Sequence, residues 1–94
     1  KKFLLCHSGL DNFSPERSPA DYTADELIWA WPELTDRYFD DCITVFGHTP
    51  TKSYGKKYNG KILKTDTWID VDVGVPYGNS PCLLRLDDLK EFYL

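Results

Sequence analysis

Apolar residues in this chain cluster in short runs, and their spacing predicts a domain made mostly of strands. Runs that are wholly or mostly apolar cover 3–6, 43–46 and 82–86, and a weaker one covers 92–94. Runs of this length, bounded by Gly, Pro or Ser, are typical of buried strands. From 64 to 75 apolar and polar residues alternate instead, which predicts one longer strand. Its apolar face would hold Ile69, Val71, Val73 and Val75, and its polar face Asp66, Trp68, Asp70 and Asp72.

One helix and two irregular regions complete the predicted elements. Thr23 and Glu26 have the spacing of a capping box, so a helix is expected to begin at Thr23, and Pro32 is expected to end it. Two prolines within 11–21 predict a loop. An Asn-Gly pair favours a tight turn, so a hairpin is expected within 51–64.

Length, charge and cysteine content limit the class of protein. The 94 residues suffice for one small domain, 1–94, and the start inside an apolar run without Met predicts a piece of a longer protein. A net charge of −4 argues against a DNA-binding or anionic-membrane-binding protein, since either needs a clustered basic surface. No apolar run is long enough for a membrane span. Cys6, Cys42 and Cys82 are dispersed among apolar residues, which favours free thiols and a cytoplasmic location.

The only two histidines of the chain each follow a predicted strand. His7 comes after the first run and precedes Ser-Gly, and Gly47 and His48 follow the run 43–46. Ligand sites of open α/β folds lie at strand ends, where an imidazole held by a rigid strand can bind a transition metal. Taken singly, each histidine is more simply explained as a loop residue whose ring hydrogen-bonds to backbone.

Together, the motifs around the two histidines resemble those of calcineurin-like metallophosphoesterases. More narrowly, they resemble the bacterial branch of the phosphoprotein-phosphatase family, which includes the lambda-phage-type protein phosphatase and symmetrical diadenosine tetraphosphatases. The matching segments are 3–10 with Cys-His-Ser-Gly, 44–50 with Gly-His-Thr-Pro, and 69–74 with Ile-Asp-Val-Asp-Val-Gly. The resemblance implies an α/β fold: the C-terminal half of an α/β/β/α sandwich, mostly β-strands here, with one clear helix.

The resemblance also implies an activity and a set of site residues. The family hydrolyses phosphomonoesters with two divalent ions, and a serine/threonine protein phosphatase-like activity is expected. By this resemblance His7 and His48 ligate the same ion, and Gly47, Asp72 and Tyr77 lie around it. Imidazoles suit Mn, Fe, Zn or Ni, so the ligand set does not select one metal. This chain alone would hold at most one partial site.

The departures from the family are as informative as the match. Its Asp-x-His, Gly-Asp-x-x-Asp-Arg-Gly and Gly-Asn-His-Glu motifs are absent here. The other ligands and the general acid are therefore expected in a missing N-terminal half, and this chain, without a catalytic residue of its own, is expected to be inactive alone. Trp31 stands where the family often has a phosphate-binding Arg, so Arg37 or a lysine is the candidate for the substrate phosphate.

Several alternatives stay open at this point. The expected substrate is a phosphorylated protein or a nucleotide polyphosphate, so a diadenosine tetraphosphatase-type hydrolase is one alternative. A non-catalytic scaffold that keeps the sheet is another, and an unrelated β-rich domain that matches by chance is the third. Asp66 and Asp70 are expected to face solvent, and the five lysines of 51–64 to lie on an exposed hairpin.

Overall fold

A central sheet of four short strands organises residues 2–94, which a computed structural model describes. The strands β1 (Phe3–Leu5), β2 (Ile43–Phe46), β3 (Leu63–Lys64) and β4 (Trp68–Asp70) lie in the order β1-β2-β4-β3. Strands β1, β2 and β4 are parallel, and β3 pairs antiparallel with β4. Parallel strands place their carboxyl ends at one edge of a sheet, so the segments that follow β1, β2 and β4 meet there.

The remaining elements are a separate hairpin and short helices. Strands β5 (Cys82–Arg85) and β6 (Lys90–Tyr93) pair antiparallel. The α-helix α1 covers Ala24–Ile28, and 3-10 helices cover Pro19–Asp21, Thr51–Tyr54, Lys56–Tyr58 and Val75–Tyr77. The chain is thus a mixed α/β domain with one α-helix, and the strands predicted from the four apolar runs are confirmed. No helix in residues 2–94 is long and apolar enough to cross a membrane.

Each face of the sheet has its own apolar cluster. One face is aromatic and packs under the loop 11–21 and α1, with Phe46, Trp68, Tyr38, Phe39, Tyr22, Leu10 and Leu63 at its centre. The other face is aliphatic, built on Val45, Ile62, Ile69 and Val73, and the β5–β6 hairpin covers it with Cys82 and Leu84. Leu5 and Leu83 stay more than half exposed beside this second cluster.

The single strand predicted over 64–75 is wrong. The chain reverses between β3 and β4 because the Thr65 hydroxyl accepts hydrogen bonds from the backbone amides of Thr67 and Trp68, at 3.4 and 3.0 Å. Strand β4 ends at Asp70, and Gly74 then has a left-handed φ of 84°, which does not belong to a strand. The alternation of apolar and polar residues therefore continues across a turn, and the pattern did not predict that turn because side-chain hydrogen bonds form it.

The hairpin predicted within 51–64 is also wrong. Two 3-10 helices occupy this segment, separated by Gly55 with a φ of 139°. The Asn-Gly pair does form a turn, but that turn leads into β3 rather than joining two strands. Lys52, Lys56, Lys57 and Lys61 are exposed there, as the sequence predicts.

The capping box of α1 is confirmed. The Thr23 hydroxyl accepts from the Glu26 amide at 3.3 Å, and the Thr23 amide donates to the Glu26 carboxylate at 2.9 Å. The same carboxylate accepts two hydrogen bonds from Arg17, which ties the loop 11–21 to the helix. These donors, the Arg17 guanidinium first, hold the pKa of Glu26 well below its usual range.

Replacing Thr23 by Ala is expected to lower the free energy of unfolding by about 1 kcal/mol, because the first helical turn loses its side-chain acceptor. Urea denaturation followed by circular dichroism measures this. Thr23→Ser keeps the hydroxyl and serves as the control. Equal midpoints for Thr23→Ala and Thr23→Ser would show that the cap contributes nothing.

Candidate functional site

The two histidines meet at the carboxyl edge of the sheet. His7 follows β1, His48 follows β2, and the two strands pair directly. The distance between His7 Nε2 and His48 Nδ1 is 3.3 Å, and the ring centroids are 5.1 Å apart. The structure therefore brings the two histidines together, and their ligation of one ion stays a prediction. His7 is exposed and His48 half-buried, so both nitrogens lie at the surface of the domain.

The backbone at His48 has an unusual conformation. His48 has a φ of 69°, which a non-glycine residue rarely adopts. The preceding residue, Gly47, donates its amide to the His7 carbonyl at 3.0 Å, so one histidine loop is hydrogen-bonded to the other. A Cβ built on Gly47 would lie 3.7 Å from the Asp72 Cβ, an ordinary contact, so packing alone does not require glycine there.

A third segment, residues 29–31, is attached to both histidine loops. Ser8, fully buried, accepts the Ala30 amide at 3.1 Å, and the buried Thr49 hydroxyl donates to the Ala30 carbonyl at 3.4 Å. Sequence reasoning did not assign these roles to Ser8 and Thr49. The available signal was that each histidine is followed by a hydroxyl residue.

Gly9, two residues after His7, packs closely against Tyr38 and Pro32. A Cβ there would lie 2.5 Å from the Tyr38 hydroxyl and 3.0 Å from Pro32 Cδ, so only glycine fits. The Tyr38 hydroxyl accepts from the Leu10 amide at 2.9 Å. The turn after His7 therefore lies closely packed between Tyr38 and Pro32.

Two exposed indoles flank His48. The rings of Trp29 and Trp31 stand edge-on to it, with centroids 5.9 and 6.1 Å away. Trp31 Nε1 donates to His48 Nε2 at 3.2 Å. Trp29 and Trp31 expose 62% and 57% of their surface, so neither contributes to the core. The sequence predicted apolar helix residues here, whereas α1 ends at Ile28 and both indoles lie beyond it.

Asp72 lies beside Gly47 and, in the described residues, makes no hydrogen bond to either histidine. Its carboxylate accepts from the Gly74 amide at 3.2 Å, and its carbonyl accepts from the Thr51 amide at 2.8 Å. It therefore joins the turn after β4 to the segment that follows His48. Whether it supports a bound metal stays a prediction.

Asp70 is fully buried, and the prediction that it faces solvent is wrong. It ends β4 on the aromatic side of the sheet, where one oxygen accepts from the Asp72 amide at 2.9 Å. The other oxygen has no hydrogen-bond partner among the described residues. Burial, reinforced by the charge of Asp72, raises the pKa of Asp70 to about 8. Asp66, by contrast, is exposed as expected.

The other two predicted site residues, Tyr77 and Arg37, lie at opposite ends of the sheet. Tyr77 is exposed, and its ring centroid lies 3.4 Å from Lys52 Nζ; both residues follow the carboxyl ends of their strands. Arg37 lies at the opposite end, where it pairs with Asp40 and with Asp66, each at 3.3 Å. A cavity of about 600 Å³ also lies at that end, between Arg17 and Asp41. The structure therefore does not bring Arg37 to the histidines.

The spacing of the two imidazole nitrogens fits a shared divalent ion. Two ligands at about 2.0–2.1 Å from one ion, separated by a tetrahedral angle, lie about 3.4 Å apart. The 3.3 Å between His7 Nε2 and His48 Nδ1 is compatible with this separation, and it is also a hydrogen-bond distance between the two rings. Among residues 2–94, no group of three or more His, Cys, Asp or Glu side chains is arranged to hold a metal.

The three cysteines are free thiols and are half-buried. Cys6, immediately before His7, is half-buried, and burial raises its pKa.

Comparison with known proteins adds nothing to this site, since no family model, curated protein or solved structure matches the chain.

Proposed function

We propose that this chain contributes two metal ligands, His7 and His48, to a two-metal phosphoesterase that hydrolyses phosphomonoesters. The single observation that supports this most strongly is the 3.3 Å between His7 Nε2 and His48 Nδ1. The resemblance of both histidine motifs to the bacterial phosphoprotein-phosphatase branch also supports the proposal. The remaining ligands and the general acid belong, in this proposal, to a segment outside this chain.

In this proposal the residues of the chain bind and orient rather than transfer protons. The parallel pairing of β1 and β2 sets the separation of the two rings, and the Gly47 amide on the His7 carbonyl keeps it. A divalent ion held there would polarise a phosphoryl oxygen and activate a water. The exposed Lys52, at the same edge of the sheet, offers a cation for the substrate phosphate in place of the Arg that Trp31 replaces.

The proposal is tested first by metal binding to the 94-residue chain. Isothermal titration with Zn²⁺, Mn²⁺ and Ni²⁺ is expected to show one site that His7→Ala and His48→Ala each weaken by at least about 10-fold, because each variant loses a ligand. Asp66→Asn removes an exposed carboxylate at the opposite end of the sheet and is expected to leave binding unchanged. Binding that survives both histidine variants would refute the assigned ligands.

Hydrolysis of p-nitrophenyl phosphate with added manganese is the second test. We expect turnover by the complete polypeptide that contains this segment, none by residues 1–94 alone, and a loss of at least about 100-fold on His48→Ala in the complete polypeptide. Metal binding without turnover in the complete polypeptide would favour the non-catalytic scaffold instead.

A further inference from the structure

The hydrogen bond between Trp31 and His48 carries information about which ring nitrogen holds the proton. Trp31 Nε1 lies 3.2 Å from His48 Nε2. An indole N–H can only donate, so His48 Nε2 must accept with a lone pair. A neutral imidazole carries one proton, and in His48 that proton is then on Nδ1.

The resulting hydrogen bonds run in one direction. The Trp31 N–H donates to His48 Nε2, and the His48 Nδ1–H points at His7 Nε2, 3.3 Å away. The nitrogen of His48 that faces His7 is therefore protonated whenever the indole bond is made. A protonated ring nitrogen has no lone pair for a metal.

Metal ligation requires the opposite tautomer. For His48 Nδ1 to ligate, its proton must leave and a proton must be taken up at Nε2, which keeps the ring neutral. The Nε2–H would then face the Trp31 N–H at 3.2 Å, donor against donor. The indole bond and the metal bond exclude each other as long as Trp31 keeps this position.

We propose that Trp31 gates metal binding: its indole N–H holds His48 in the non-ligating tautomer and must leave His48 Nε2 before the histidine pair accepts a divalent ion. This inference rests on the proposed function. Trp31 is free to leave because 57% of its surface is exposed. Trp29 offers an internal comparison, since its ring also stands edge-on to His48 but, in residues 2–94, makes no hydrogen bond to that ring.

The test is zinc affinity of the 94-residue chain, measured by isothermal titration on matched variants. Trp31→Phe keeps an aromatic ring and removes the donor, so it is expected to bind Zn²⁺ about 3- to 10-fold more tightly, the range that a net hydrogen bond contributes. Trp29→Phe removes an indole that makes no such bond and is expected to match the wild type. Equal or weaker zinc binding by Trp31→Phe overturns the inference.

Nitrogen NMR of the wild-type chain gives a second readout that does not depend on any variant folding. Without metal, the His48 ring is expected to carry its proton on Nδ1; with zinc, the proton is expected on Nε2, and the indole N–H resonance of Trp31 is expected to move. A proton on Nε2 in the metal-free chain overturns the gate. If zinc binding depends on His7 but not on Trp31, the gate alone fails; if neither wild type nor Trp31→Phe binds zinc, the proposed function fails with it.

Discussion

Raising the pH from 5 to 9 is expected to destabilise this protein by roughly 4 kcal/mol more than it destabilises the Asp70→Asn variant. Asp70 is buried, and its pKa in the folded chain is raised to about 8, against an ordinary value of 3.8. Between these values the folded state binds a proton that the unfolded state has released. The free energy of unfolding therefore falls as the pH rises through this window.

Urea denaturation at pH 5, 7 and 9 measures this difference, because Asn is neutral throughout. The Asn side chain can still accept the Asp72 amide through its oxygen, so the comparison isolates the charge. Asp66→Asn is the matched control: Asp66 is exposed, and its variant is expected to follow the wild type at every pH. Parallel curves for wild type and Asp70→Asn, within about 1 kcal/mol, would show that the buried carboxyl is not a source of pH dependence.

Replacing Trp68 by Ala is expected to cost about 3–5 kcal/mol of stability, the range for removing a large aromatic side chain from a core. Trp68 is fully buried, and its ring centroid lies 5.2 Å from that of Phe46 and 6.0 Å from that of Tyr54. Its Nε1 donates to the Asp36 carbonyl at 2.9 Å, and Ala would leave that acceptor unpaired.

Circular dichroism in urea gives the measurement, since Trp68→Ala removes one of the three indoles and so changes the fluorescence signal itself. Trp29→Ala is the matched control, because this exposed indole is expected to cost less than about 1 kcal/mol when removed. Trp68→Phe keeps an aromatic ring but loses the hydrogen bond to Asp36. Its loss of stability is therefore expected to lie between those of Trp68→Ala and Trp29→Ala. A Trp68→Ala variant as stable as Trp29→Ala would refute the central role of Trp68 in the aromatic cluster.

The elements that sequence patterns predicted well are those whose signals are local. Strands β1 and β2 follow from their own apolar runs, and the start of α1 follows from Thr23 and Glu26, which hydrogen-bond to each other across one turn. The alternation over 64–75 failed because the pattern contained no sign of the turn that the Thr65 hydroxyl makes.

The residues of the candidate site, too, were predictable from the sequence only in part. The resemblance of the two motifs to one family implied that His7 and His48 meet, and the parallel pairing of β1 and β2 brings them together. Arg37 precedes β2 and its partner Asp66 precedes β4, so both lie at the amino ends of these strands, away from the histidines. The prediction missed this pair because it placed Asp66 inside one strand over 64–75.

The sequence by itself determined where β1 and β2 lie, where α1 is capped and that a histidine follows each of these strands, because each of these features depends on residues a few positions apart. Only the tertiary structure decided that Asp70 is buried, that Trp31 donates to His48, and that Ser8 and Thr49 hold the segment between them. These contacts join residues separated by many positions in the chain. Their geometry depends on how the loops pack over the sheet, and side-chain type alone does not specify that packing.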